Sequence, residues 1–197
     1  TILRECLDLT AILFDADGNA IAQGTKSLPS FTGTGPATLR HMLERYPPES
    51  LRPGDVLATN DAWQGTGHYF DICVMRPAFR DGRIVGYTMS ISHLPDIGGI
   101  GYTASATDIY QEGLRIPVCK LLEGGRPNEL VFEFIRANVR VSEQVVGDIM
   151  ANVSCNEVSG QKLAEFMGEY GLDNLNGLSQ AIRRQSERSM RECIRDI

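Results

Sequence analysis

Two short motifs of the chain carry residue types that bind transition metals. His68-Tyr69-Phe70-Asp71 and His93-Leu94-Pro95-Asp96 both have the form His-x-x-Asp, and an isoleucine follows each of them. They contain two of the three histidines in the sequence. Imidazole and carboxylate together are the ligands that proteins offer to zinc, manganese or iron, and catalytic sites keep one coordination position open. The motifs therefore predict a site for one divalent metal ion, Mn, Zn or Fe.

A β-hairpin is predicted between the two motifs. Apolar runs flank Arg80-Asp81-Gly82-Arg83, and Asp-Gly between such runs is a strong hairpin signal. We predict strands from Phe70 to Phe79 and from Ile84 to Ser92. Pro77 lies in the first strand, where proline is typical of a sheet edge or a β-bulge.

This hairpin would bring the two histidines together. With a two-residue turn at Asp81-Gly82, His93 lies opposite Phe70, and His68 lies two residues further along on the same face. Diagonal neighbours of this kind are about 7–8 Å apart, which allows two imidazoles to bind one ion. A bulge near Pro77 would shift the pairing by one residue.

The aspartates of the motifs have two possible roles. In a regular strand Asp71 would face away from His68, unless the glycine-containing loop before it bends. Asp96 follows the second strand, just before two glycines that allow the backbone to turn. Either aspartate could bind the ion or accept a hydrogen bond from an imidazole N–H. Alternatively, the histidines are ordinary polar residues at strand ends. The predicted metal ligands, in order of preference, are His68, Asp71 and His93, then Asp96 and Asp8.

The rest of the chain predicts an α+β fold in which antiparallel β-hairpins of the first two thirds pack with a helical C-terminal third. The order, strands early and helices late, argues against alternating βαβ units. An earlier helix should reach Tyr46 with Pro36 in its first turn. Residues 1–197 would form a single domain or the N-terminal part of a longer subunit, because both ends look cut. The late helices are predicted at Glu129–Asn138, Val141–Ser159, Gly160–Tyr170 and from about Leu175 onward.

Composition and charge narrow the function classes. The net charge of −6 disfavours nucleic acid as a partner, and no apolar run approaches the roughly 20 residues that span a bilayer. The five cysteines are odd in number, widely scattered and without a CxxC pair. We therefore expect reduced thiols in a cytoplasmic protein.

Several longer motifs extend the pattern around the two histidines. In chain order these motifs are Gly54–Asp61, Gly65–Ile72, His93–Gly99, Tyr110–Pro117 and Ile135–Arg140. With them the sequence resembles the hydantoinase B family, which includes N-methylhydantoinase B subunits, the matching half of 5-oxoprolinases and a large subunit of acetone and acetophenone carboxylases. The resemblance covers nearly the whole chain, from about Leu7 to Tyr170.

The resemblance implies a metal-dependent subunit of an ATP-dependent hydrolase that opens cyclic amides such as hydantoins, oxoproline or lactams. It also implies a hetero-oligomer in which a hydantoinase A-like partner uses the ATP to phosphorylate the small-molecule substrate. In agreement with that division, the sequence has no Gly-x-x-x-x-Gly-Lys-Ser/Thr phosphate loop.

Further residues are candidates for roles in such a hydrolase. Asp96 or Glu112 would act as the general base, and Arg115 could bind a substrate carboxylate or phosphate. Glu112 and Arg115 could instead form a salt bridge that fixes their loop. Arg140 is expected to tie the late helices to that loop.

Two other functions stay open at this point. Gly65-Thr66-Gly67-His68 departs from the Gly-Gly-Thr-His of hydantoinase-like members and is closer to the carboxylase branch, so a ketone carboxylase subunit is the first alternative. The second is a non-catalytic subunit whose metal is structural, with a closed four-ligand sphere.

Overall fold

A single antiparallel sheet forms the centre of the molecule. The computed structural model describes residues 7–26 and 28–196. Within them seven strands lie in the order β2-β1-β5-β4-β3-β6-β7. The strands are β1 (Leu9–Asp15), β2 (Ala20–Gln23), β3 (Val56–Thr59), β4 (Asp71–Arg80), β5 (Arg83–His93), β6 (Cys119–Glu123) and β7 (Arg126–Pro127).

Helices cover both faces of this sheet and give three layers. One face packs against the first helix, whose Phe31, Leu39 and Met42 join a buried apolar cluster with the sheet. The opposite face packs against the second and third helices through a separate cluster. This arrangement, with strands early and most helices late, confirms the predicted α+β class. The helices are α1 (Ser30–Arg45), α2 (Glu129–Asn138), α3 (Ser142–Glu169) and α4 (Asn176–Arg195), with 3-10 turns at Pro48–Ser50 and Ile109–Glu112.

The predicted hairpin is confirmed as β4 and β5, but its predicted register is wrong near the histidines. Arg80 pairs with Arg83, as expected for a turn at Asp81-Gly82. A bulge between Ala78 and Phe79 then shifts the pairing by one residue, next to the proline that cannot donate a ladder hydrogen bond. His93 consequently pairs with Asp71 and not with Phe70.

Side chains of the central strands alternate between the two apolar clusters. On β4, Ile72 and Val74 face the side of α2 and α3, whereas Cys73 and Met75 face the side of α1. Because successive residues of a strand point to opposite faces and both faces are covered, the strand is apolar almost throughout. Asp71 continues the series on the α1 side, at the end of the sheet.

The first helix begins earlier than the sequence predicts. Pro36 was expected in its first turn, but α1 starts at Ser30 and Pro36 lies inside the helix. The glycine next to it allows α1 to approach the sheet closely, because a Cβ on Gly35 would come within 2.4 Å of Ile12 Cδ1. Gly33, Gly35 and Pro36 are poor helix formers, so the sequence pattern did not predict the first turns of the helix.

The late helices follow the prediction except at one boundary. The first of them spans Glu129–Asn138 as predicted. Two helices were predicted at Val141–Ser159 and Gly160–Tyr170. The predicted break between them is wrong, because the segment forms one continuous helix, α3. Gly160 did not interrupt it and faces the sheet, where an added Cβ would lie 3.7 Å from Ala78 Cβ.

The length and hydropathy of the helices show whether one of them could span a membrane. Among the described residues, no helix combines the length and the apolar character that crossing a lipid bilayer requires.

Candidate metal centre

Three neighbouring strands bring acidic and imidazole side chains to one end of the sheet. His93 is the last residue of β5 and pairs with Asp71, the first residue of β4. On its other side, the backbone N–H of His93 donates to the carbonyl of Asp8, just before β1, at 3.1 Å. Paired residues of an antiparallel ladder place their side chains on the same face. The register shift produced by the bulge therefore places Asp71 beside His93.

His68 reaches this group from the loop before β4. Its Nε2 lies 3.3 Å from Asp71 Oδ2, and the backbone N–H of Phe70 donates to its Nδ1 at 3.2 Å. That hydrogen bond orients the ring, and in the neutral imidazole it leaves the proton on Nε2, facing the carboxylate. A metal ion bound at Nε2 would displace this proton.

His68, Asp71 and His93 have a geometry that one cation could bridge. Their ligand atoms all lie within 4.8 Å of one another, and His93 Nδ1 is 3.1 Å from Asp71 Oδ1. Within the described part of the chain this is the one group of three or more histidine, cysteine or acidic residues that could hold an ion. Asp71 and His93 are buried, whereas 38% of the His68 side chain is exposed, so the group is open to solvent on the His68 side.

Asp8 adds a second carboxylate to the group. Its Oδ2 lies 3.8 Å from His93 Nδ1, and its Oδ1 is buried without a hydrogen-bond partner. Burial raises the pKa of Asp8, and the negative charge of Asp71 raises it further. Two carboxylates that repel each other beside two imidazoles are stabilised by a divalent cation. The residues present thus fit a site for Mn, Zn or Fe with two nitrogen and two oxygen donors.

Aromatic rings and a buried thiol surround the candidate centre. Phe70 stacks on His93 with ring centroids 5.2 Å apart, and Tyr102 contacts His93 edge-on at 5.2 Å while 82% exposed. Cys73 lies two residues beyond Asp71, and burial raises the pKa of its thiol to about 12, with a contribution from Asp71. In the absence of a metal ion Cys73 is therefore a neutral thiol at physiological pH.

Asp96, the further predicted ligand and candidate base, lies outside the group. Its side chain accepts hydrogen bonds from the Gly98 N–H at 3.1 Å and from Arg140 Nη1 at 2.8 Å, as well as from the Arg140 backbone N–H. Arg140 also donates to the carbonyls of Gly98 and Gly99. The contacts of Asp96 thus fasten the loop after His93 to the junction of α2 and α3. The sequence prediction tied Arg140 to the loop of Glu112 and Arg115, whereas its side chain binds the loop after His93.

Glu112 and Arg115 lie on the loop near the group but do not pair with each other. Glu112 Oε2 accepts the backbone N–H of Tyr69 at 2.8 Å. Arg115 Nε donates to Asp61 Oδ2 at 2.9 Å, and its Nη2 contacts the same oxygen. Hydrogen bonding to Asp61 raises the pKa of Arg115. Each of the two side chains therefore fastens its loop to the loop that carries His68.

Two residues near the group were not singled out as site residues from the sequence. Asn60 directly follows β3 and is 1% exposed, and Tyr102 lies in a loop with several glycines. A polar residue immediately after a fully buried strand was an available signal for Asn60. The sequence offers no comparable signal for Tyr102, because its contacts with Phe70 and His93 are made by the fold of the loop.

Comparison with known proteins decides the family. A profile of the family described as Hydantoinase B/oxoprolinase matches residues 1–197. The chain belongs to this family. Among relatives in the family, the caprolactamase subunit beta of Pseudomonas jessenii is 32% identical over 96% of the chain. The acetophenone carboxylase delta subunit of Aromatoleum aromaticum is 27% identical over 95% of the chain and 28% of that protein.

A solved structure shows the same fold. The chain superposes on the crystal structure of the ATP-dependent caprolactamase from Pseudomonas jessenii with a TM-score of 0.88 and 30% identity, covering 96% of the chain and 33% of that structure. The chain spans about a third of the length of the first curated relatives, 33% for the caprolactamase subunit. The Hydantoinase B/oxoprolinase fold is therefore present here over one part of the length seen in those relatives.

Proposed function

We propose that this chain contributes the metal centre to a subunit of an ATP-dependent hydrolase of cyclic amides, of the hydantoin, oxoproline or lactam type. The observation that carries the proposal is the convergence of His68, Asp71 and His93, with Asp8 beside them, at one end of the sheet. Two imidazoles and two carboxylates suit a divalent ion of the Mn, Zn or Fe class.

The residues of the group divide the work of such a centre. His93 and Asp71 are buried and fixed by the β4–β5 ladder, so they would hold the ion rigidly. His68 is on the open side, which leaves room for water and a substrate carbonyl. When bound, the ion would lower the pKa of a water to roughly 7 and polarise the carbonyl that is attacked. The exposed ring of Tyr102 would line the approach to the centre.

We further propose that the activation step belongs to a partner. The caprolactamase that the chain resembles is ATP-dependent and its matching chain is named subunit beta. A hydantoinase A-like subunit that uses ATP on the substrate amide, within a hetero-oligomer, accounts for both. Phosphorylating the amide oxygen makes the carbonyl carbon more susceptible to hydroxide.

Metal analysis of the complete subunit tests the proposal. We expect about one equivalent of Mn, Zn or Fe, lost in the His68→Ala/His93→Ala double variant. His41→Ala is the matched control, because His41 lies on α1 and pairs with Glu44, outside the group. A wild-type subunit that retains no metal after purification and binds none on titration would refute the proposed centre.

A ketone carboxylase subunit is the second candidate function. The relative named acetophenone carboxylase delta subunit favours it, together with the resemblance of Gly65-Thr66-Gly67-His68 to the carboxylase branch noted from the sequence. The same ion would then stabilise an enolate by its charge. Incubation of the complete complex with ATP and labelled bicarbonate separates the two functions, since label entering a ketone would exclude simple hydrolysis.

A further inference from the structure

His68 lies in a loop outside the sheet, where no strand pairing holds the backbone. It precedes β4 and follows Gly65 and Gly67, and Gly67 has a φ of 112°, in the left-handed region. His93 and Asp71, by contrast, are strand residues held by ladder hydrogen bonds. The Phe70 N–H orients the His68 ring within this segment, so contacts with other parts of the chain must hold the segment itself in place relative to Asp71 and His93.

The backbone of the next residue, Tyr69, is held from both sides by side chains of other segments. Its N–H donates to Glu112 Oε2 at 2.8 Å, and its carbonyl accepts from Asn60 Nδ2 at 2.7 Å. Its own side chain is buried, with 2% exposed. Two hydrogen bonds and a buried ring thus fix the peptide units on both sides of Tyr69, the first of which begins at His68.

Asn60 is itself held by the loop that carries Glu112. Its Nδ2 also donates to the carbonyl of Leu114 at 2.9 Å, and its Oδ1 accepts the N–H of Ile116 at 2.6 Å. The Asn60 side-chain amide therefore links the backbone of Tyr69 to the backbone of Leu114 and Ile116. A buried amide satisfied in this way has one permitted orientation.

The loop from Gln111 to Ile116 also contacts the segment after His93. The N–H of Leu114 donates to the carbonyl of Ile97 at 2.8 Å, and the N–H of Ile100 donates to the carbonyl of Gln111 at 2.9 Å. The two backbones approach so closely at Gly113 that an added Cβ would lie 2.1 Å from the Ile97 oxygen. One loop thus bridges the two histidine-bearing segments.

We propose that Glu112 and Asn60 are positioning residues that set the distance between His68 and the buried pair of Asp71 and His93. The inference rests on the proposed metal centre for its functional meaning, and it gives Glu112 a role different from general base. A positioning role needs only a hydrogen-bond acceptor at Glu112, whereas a general base needs a carboxylate that takes up a proton.

Substitutions of Glu112 separate these roles. In Glu112→Gln the amide oxygen still accepts the Tyr69 N–H, whereas Glu112→Ala removes the acceptor. We expect the affinity of the complete subunit for Mn²⁺, measured by calorimetry, to fall about tenfold or more in the alanine variant. The glutamine variant should bind within about threefold of wild type. Glu165→Ala is the control, because Glu165 pairs with Lys162 on the exposed side of α3.

A metal-free measurement reports on His68 directly. The rate at which diethyl pyrocarbonate modifies His68, followed by mass spectrometry with His41 as internal reference, should rise in Glu112→Ala and stay unchanged in Glu112→Gln. Asn60→Asp keeps the acceptor for Ile116 but loses both donors, so we expect it to raise the same rate.

The outcomes distinguish failure of the inference from failure of the proposed function. A wild type that binds no Mn²⁺ refutes the metal centre, while the modification rates still test the positioning of His68. Equal affinity and equal modification rates in wild type and Glu112→Ala overturn the inference. A glutamine variant as impaired as the alanine variant also overturns it, because the negative charge would then be what matters.

Discussion

At the scale of single residues, a carboxylate of the candidate metal centre destabilises the metal-free fold. Asp8 and Asp71 are two carboxylates near one another, and one oxygen of Asp8 is buried without a hydrogen-bond partner. Burial, followed by the charge of Asp71, raises the pKa of Asp8. A raised pKa means that the folded protein disfavours the charged form, so at neutral pH this carboxylate lowers the free energy of unfolding. Such groups are typical of binding sites that a ligand stabilises.

Asp8→Asn should therefore stabilise the metal-free subunit and lower its affinity for the metal ion. In the presence of EDTA at pH 7 we expect a midpoint of thermal unfolding above that of wild type. The advantage should shrink as the pH falls through the raised pKa of Asp8, because the wild-type carboxyl is then also neutral. Asp81→Asn, at the exposed tip of the β4–β5 hairpin, is the control and should change neither property. A metal-free Asp8→Asn variant less stable than wild type would contradict this account.

At the scale of elements, a polar seam joins α3 to the central strands. Asn152 and Asn156, one turn apart, are buried against β4 and β5. Asn152 Nδ2 donates to Ser92 Oγ at 2.7 Å, and Asn156 Nδ2 donates to Ser90 Oγ at 3.0 Å and to the Val74 carbonyl at 2.8 Å. Spacing of four on a helix and of two on a strand makes these contacts coincide. The seam fixes the position of α3 along the strands that carry Asp71 and His93.

Asn156→Ala should destabilise the subunit by about 2–3 kcal/mol, because it leaves a cavity and removes the partner of buried polar groups. Urea unfolding measures the change. Ser154→Ala on the same helix is the control, since Ser154 is exposed and bonds only to the preceding turn; its effect should stay within about 0.5 kcal/mol. Comparable losses in the two variants would mean that helix propensity, and not the seam, determines the result.

At the scale of the whole molecule, the candidate ligands come from three separate stretches of the chain. Asp8 precedes β1, His68 and Asp71 precede and begin β4, and His93 ends β5. An ion bound to all of them would cross-link three adjacent strands. A ligand that binds only the folded state stabilises it by about 2.7 kcal/mol at a concentration of about 100 times its Kd.

Metal should accordingly raise the unfolding temperature of the wild-type subunit by about 5–10 °C at that concentration, given about 2–4 °C per kcal/mol for a domain of this size. Differential scanning fluorimetry with Mn²⁺ and Zn²⁺ would detect the shift. The His68→Ala/His93→Ala variant should show none, and His41→Ala should behave like wild type. A shift of equal size in the double variant would show that the ions bind elsewhere.

What the sequence determined by itself is local: the residue types of the two His-x-x-Asp motifs, the Asp81-Gly82 turn between them and the helical periodicity of the last third. These follow from turn chemistry and side-chain spacing over a few residues. The tertiary structure decided the rest. The bulge after Ala78 places Asp71 opposite His93. Asp96 accepts a hydrogen bond from Arg140, and Glu112 accepts one from the backbone N–H of Tyr69. Each depends on how distant segments pack, and a shift of one residue in a strand changes which side chains meet.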